Sequence, residues 1–134
     1  MKSVKLIMAV AAMFAFTSVS AQDFSDDAKY GKWGATNEER QANIGASNYL
    51  KEALDAKDLK TATVYFQQLL NNCPAASQNT FARGVSLYKS KAQRARSVAE
   101  KKMYIDSILF IYDQRIIYFG DHHKTGKDYI LDMK

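Results

Sequence analysis

The stretch DLKTATVYFQQLLNNCP, residues 58–74, decides the fold. Asp58 is a short acid placed to accept hydrogen bonds from the open amides of a first helical turn. Leu59, Ala62, Phe66 and Leu69 then recur at steps of three, four and three, which puts them on one face of an α-helix. Val64, Tyr65 and Leu70 widen that face, as in a helix covered on both sides. Asn71, Asn72 and Pro74 end it, because proline disfavours helical geometry in the residue before it.

Working outward, the same signals repeat on either side. Upstream, TNEERQANIGASNYLKEALDAK opens with Thr36 and Glu39 in a capping-box pattern. Ala42, Ala46, Tyr49, Leu50, Ala53 and Leu54 follow at helical spacing, and the helix is expected to end near Lys57. The link to Asp58 is so short that the two helices must lie antiparallel. Downstream, a third helix is expected from about Ser77 to the Ser97 region, packing through Phe81, Gly84, Val85 and Tyr88. A fourth is expected from about Val98 to Phe119, stopped by Gly120. It carries two apolar stripes: Ile105, Leu109, Tyr112, Ile116 and Phe119 make one, and Tyr104, Ile108, Ile111 and Tyr118 the other. A helix apolar on both sides needs neighbours on both sides. The loop DHHKTGK and a new start, DYILDMK, complete the chain. An element that short has little to hold it, so either it docks on the fourth helix or the array is longer. The expectation is an all-α protein of about four helices plus a short C-terminal helical start.

The opening stretch resembles the second helix of a tetratricopeptide repeat. That family places a small residue early, an aromatic four residues later and a proline at the end; here these are Ala62, Phe66 and Pro74. The small residue lets paired helices approach, the aromatic fills the gap to the next pair, and the proline terminates. The turn AKDLKTA is similar to the family's inter-helix turn. Gly84 lies 34 residues after Leu50, which is the family's period. The first helix departs from the pattern: it offers Ala46, Tyr49-Leu50 and Ala53 where the family has Leu-Gly and a Tyr-like residue. Arg96 and Glu100 stand where Ala62 and Phe66 would repeat, so the second hairpin must carry an insertion. The resemblance covers about Ala46 to Tyr88. It implies antiparallel hairpins stacked as an array, and a scaffold whose first helices line a groove for a peptide or a partner's segment. Candidate groove residues are Ser47, Lys51, Phe81, Arg83 and Tyr88.

The N-terminus sets the compartment. MKSVK is basic, LIMAVAAMFAF is an apolar run too short to span a bilayer comfortably, and Val19 and Ala21 are small residues flanking Ser20. This is the pattern of a secretory signal over residues 1–21, with cleavage expected after Ala21. No Cys follows the run, which argues against a lipid anchor. The segment 22–35, with Gly31 and Gly34 around Trp33, lacks helical periodicity and reads as an extended lead-in whose Phe24, Tyr30 and Trp33 fold back. The helical domain then covers 36–134, alone or as the first part of a longer array. The formal net charge of +5 falls to +3 once Lys2 and Lys5 leave with the signal. One cysteine, Cys73, excludes a disulfide framework; it is either buried or pairs between chains, and burial is favoured. Signal and composition suit the periplasm or envelope of a Gram-negative bacterium, and the chain is similar to secreted repeat proteins of Bacteroidota.

No catalytic constellation stands out, so no enzyme activity and no cofactor are expected. His122 and His123 are adjacent, and neighbouring positions do not converge on one metal that needs three or four ligands. Paired acids such as Glu38-Glu39 sit at a helix start, where they favour the dipole. No nucleophile elbow and no phosphate-binding glycine loop occurs. The basic run Arg83, Lys89, Lys91, Arg94, Arg96, Lys101, Lys102 reads as a solvated face or a surface for an acidic partner; export argues against nucleic acid. The expected role is a protein-binding scaffold in the envelope, with no membrane-spanning segment after signal cleavage. The alternative is a structural helical-bundle subunit that associates with its own kind.

Overall fold

The computed structural model describes residues 22–120; the expected signal segment and the stretch carrying His122, His123 and the expected last helical start lie outside them. Helix accounts for about 79% of the described residues and no strand occurs among them, so the all-α expectation holds. Five α-helices follow in order: α1 (Asp27–Tyr30), α2 (Asn37–Asp55), α3 (Leu59–Asn72), α4 (Gln78–Gln93) and α5 (Val98–Phe119), with a 3-10 turn over Gly31–Trp33 after α1. None of these helices is long and apolar enough to cross a membrane.

Each long helix starts where a short polar side chain can accept from its first turn. Thr36 Oγ1 accepts from the Glu39 amide, Asp58 from Thr61, Ser77 from Asn79 and Ser97 from Glu100. Such caps contribute about 1 kcal/mol each. Glu39 departs slightly from the capping-box pattern: its Oε2 accepts from the amide of Ala35 at 2.8 Å. The third helix stops at Gln93 rather than near Ser97, because Ser97 caps the next helix.

The turn between α2 and α3 is tight. Lys57 sits in the left-handed region with φ of 61°. Its amide donates to the Leu54 carbonyl, and the Asp58 amide donates to that of Ala53. Two of the open carbonyls at the helix end are thereby satisfied.

Helices packed in sequence order build the core. Helix α2 lies on α3, α3 on α4, α4 on α5, and α2 also touches α4. Ala46, Leu50 and Ala53 face Ala62, Phe66 and Leu69 within one cluster that continues through Phe81, Val85, Leu87, Ile111, Tyr112 and Phe119. Gly84 matters at one contact: a Cβ there would lie 2.4 Å from Phe66 Cε1. The missing side chain lets the backbone of α4 approach the ring. Ala42, although at helical spacing, faces solvent.

The lead-in differs from the extended segment expected over 22–35. It forms α1 and the 3-10 turn, and α2 ties it down. The buried Arg40 donates from Nε to the Gly34 carbonyl and from Nη1 to the Phe24 carbonyl, both at 2.8 Å, and forms an ion pair with Asp27. Asn43 Nδ2 donates to the Trp33 carbonyl at 2.7 Å, and the Phe24 amide donates to Asn37 Oδ1 at 2.7 Å. Phe24 is buried and meets Tyr30 edge-on. A local pattern reader misses this because the anchors are long polar side chains on a different element.

Candidate functional site

Where α2 and α4 touch, their exposed sides leave a cleft of about 450 Å³, bounded by Lys51, Leu54, Asp55, Lys57, Arg83, Ser86 and Ser90. Helix α2 and its turn supply the first four, and α4 the rest. Arg83 is set by the neighbouring helix. Its Nη1 donates to both the carbonyl and the Oγ of Ser47, each at 3.1 Å. Lys51 pairs with Asp55 one helical turn on, at 2.8 Å. The Asp55 carboxyl is held below its usual range, first by the hydrogen bond and charge of Lys51, then by Lys57 and Arg83. Three cations therefore share one carboxylate, and the cleft carries an excess of positive charge. Such a surface favours an acidic segment.

Ser47, Lys51 and Arg83 thus come together, with different jobs. Lys51 and Arg83 line the cleft. Ser47 is buried and acts by holding Arg83. Phe81 has no exposed surface: it packs between Tyr118 and Phe119 in the core, and a partner cannot touch it in this conformation. Tyr88 points the other way, edge-on to Phe66 and tilted against Tyr104. Ala62, Phe66 and Gly84 are core contacts, and Pro74 follows the end of α3.

Tyr88 packs behind a second cleft of about 460 Å³, on the side where α3 begins and α4 ends, through its contacts with Lys91 and Tyr104. Leu59, Val64 and Tyr104 give it apolar walls, and Lys60, Lys91 and Arg94 outnumber the one acid, Glu100, along its lining. Lys91 Nζ lies 4.9 Å from the centre of the Tyr88 ring and 5.7 Å from that of Tyr104. Ring faces attract a cation, while burial lowers the ammonium pKa and raises that of the Tyr88 hydroxyl. The basic run read from the sequence is therefore divided: Arg83 serves one cleft, Lys91 and Arg94 the other. Lys57 and Lys60, missed in that run, join from the α2–α3 turn and the first turn of α3. The readable signal was their place beside a short helix connection.

Cys73 is buried, and burial pushes its thiol up to about 11. Among the described residues, no group of three or more His, Cys, Asp or Glu side chains is arranged to hold a metal ion. Comparison with family models, with curated proteins and with solved structures gives no match.

Proposed function

We propose that the protein is a non-enzymatic scaffold of the cell envelope and that its α2–α4 cleft takes an acidic segment of a partner protein. The observation that carries this reading is the hydrogen-bonded fixing of Arg83 by Ser47 beside Lys51 and Lys57. A guanidinium held in place loses less freedom on binding a carboxylate than a free one would. On this reading α2 with α3 and α4 with α5 are two hairpins of a tetratricopeptide-like array, and α2 and α4 are their first helices. Gly84 against Phe66 and the side-by-side contact of α2 with α4 support that arrangement. The signal pattern of residues 1–21 supports a location outside the cytoplasm, in the periplasm or on the envelope.

The test uses two fluorescent ten-residue peptides, one rich in Asp and Glu and one rich in Lys, titrated by anisotropy at low and high salt. The acidic peptide is expected to bind, and to weaken as salt rises. Charge reversal at Lys51 and Arg83 should abolish that binding. The exposed Lys57→Glu, which leaves the Ser47 contact intact, should weaken it. Equal binding of both peptides, or binding unchanged by these reversals, would reject the cleft.

A further inference from the structure

Two helix connections meet at one end of the molecule. Arg94 Nη1 donates to the Lys57 carbonyl at 3.5 Å, which joins the α4–α5 connection to the α2–α3 turn. The cleft walled by Leu59, Val64 and Tyr104 lies between them. Residues 57–60 and 91–101 make up this end. They hold six of the 19 Lys and Arg of the sequence but only two of its 14 acids. The rest of the chain is close to balance, so its excess positive charge is concentrated here.

Among the described residues, none of these six cations forms an ion pair. Lys91 lies over the Tyr88 and Tyr104 rings instead of beside an acid. Of the two acids, Asp58 has its carboxylate turned to the Thr61 amide as the cap of α3. Lys57, Lys60, Arg94, Arg96 and Lys101 are all exposed. So is Val98, the first residue of α5, at 88% the most open of the large apolar side chains described. It stands between Arg96 and Lys101 in the chain.

We propose that this end docks on an anionic lipid bilayer, with its Lys and Arg side chains among the headgroup phosphates and Val98 below them. Each basic side chain close to an anionic surface strengthens attachment about 5-fold. A bilayer suits this end better than an acidic protein segment does. The charges are spread over two connections rather than along one groove, and an exposed apolar side chain stands among them. A fluid surface accepts that mixture without a matching shape: charges stay at headgroup level while the apolar group reaches the acyl boundary. Lysine and arginine stems lie along the same boundary with their heads in water. One inserted valine adds little, so attachment is reversible and depends on salt. The inference needs neither the acidic-segment reading of the α2–α4 cleft nor a particular compartment. Lys57 lines both surfaces and is left in place in the test.

The test uses the chain beginning at Gln22, the form left by the expected cleavage, so that the apolar run of residues 1–21 does not contribute. It is sedimented with vesicles of phosphatidylcholine and phosphatidylglycerol, roughly 70:30, and with vesicles of phosphatidylcholine alone. Attachment is expected to the anionic vesicles only, and should fall at least ~10-fold between about 0.05 and 0.3 M salt. Lys60→Gln with Lys101→Gln should weaken it about 25-fold. Lys51→Gln with Arg83→Gln makes an equal change of charge at the α2–α4 cleft and should weaken it less than ~3-fold. Val98→Ser should weaken it about 3-fold, with helical circular dichroism unchanged, because Val98 is exposed and the Ser97 cap remains. Equal attachment to both kinds of vesicle, or none to the anionic ones at low salt, overturns the proposal. Equal losses in the two glutamine pairs also overturn it, because the attraction would then belong to the whole chain and not to this end. A polyglutamate peptide bound through Lys60 and Lys101 while vesicles are ignored would overturn it by assigning the surface to an acidic protein.

Discussion

Replacing Gly84 with alanine tests the packing on which the architecture depends. The added methyl would lie 2.4, 2.6 and 3.1 Å from Cε1, Cζ and Cδ1 of Phe66. A ring edge can normally swing aside, but this one is 2% exposed and meets Tyr88 edge-on at 6.1 Å. Either the ring leaves its rotamer or α4 moves away from α3. Overpacking of this kind costs about 1–3 kcal/mol, and three short contacts place it at the upper end. Alanine returns about 1 kcal/mol through its better helix propensity. The net destabilisation is about 2 kcal/mol, which lowers Tm by about 8–16 °C in a domain of this size. Thermal and urea unfolding of the parent and the variant measure it. The cause is checked in a Phe66→Leu background, where the smaller side chain vacates the ring edge and the penalty of Gly84→Ala should largely vanish. A Gly84→Ala variant as stable as the parent, or an equal penalty in both backgrounds, would refute the claim that Gly84 exists to admit Phe66.

Two further outcomes follow from local chemistry. Lys57 holds a left-handed conformation that disfavours side chains with a Cβ by about 1–2 kcal/mol. Glycine recovers part of that against its greater freedom in the unfolded chain, so Lys57→Gly should raise stability by about 0.5–1 kcal/mol, read as a higher urea midpoint; a lower midpoint would show that the lysine makes a contact worth more than the strain. The Cys73 thiol is raised by burial to about 11, so the folded protein holds that proton more tightly than the unfolded chain. The stabilisation is complete below the ordinary thiol value and is lost as pH climbs from there towards 11. Stability should fall over that alkaline window less steeply in Cys73→Ala than in the parent, and native Cys73 should react with thiol reagents only as fast as the protein opens.

Most of the architecture could be read before any coordinates, because its signals are local. Asp58 caps α3 and the steps from Leu59 to Leu69 name its buried face, whereas Ser97, which periodicity places at the end of the third helix, caps the next one. The lead-in was not readable in this way. What orders it is Arg40, a charged side chain that sequence patterning assigns to solvent, and its partners lie six to sixteen residues away. Phe81 illustrates the opposite failure. An aromatic near the start of a groove-lining helix looks like a contact residue, yet a helix of 3.6 residues per turn separates neighbouring positions by about 100°. Phe81 thus turns to α5 while Arg83, two residues on, turns to α2.

Helix α5 shows where apolar periodicity stops being informative. Both of its stripes promised covered faces, and burial follows neither as a unit. Tyr112 and Phe119 of the first stripe are inside while Ile105 and Leu109 are half exposed; Ile111 of the second is inside while Tyr118 is exposed. A periodic apolar pattern states that some surface must leave water. It does not say whether the cover is a helix of the same chain, since burial against either kind of partner removes the same area. Helix α4 covers one side of α5. Met103, Phe110 and Ile117 stay exposed on the other side, and their seven-residue spacing is equally that of any one-faced helix. Apolar periodicity thus reports how much surface tends to leave water, and the packing of α4 reports which part of it does so among the described residues.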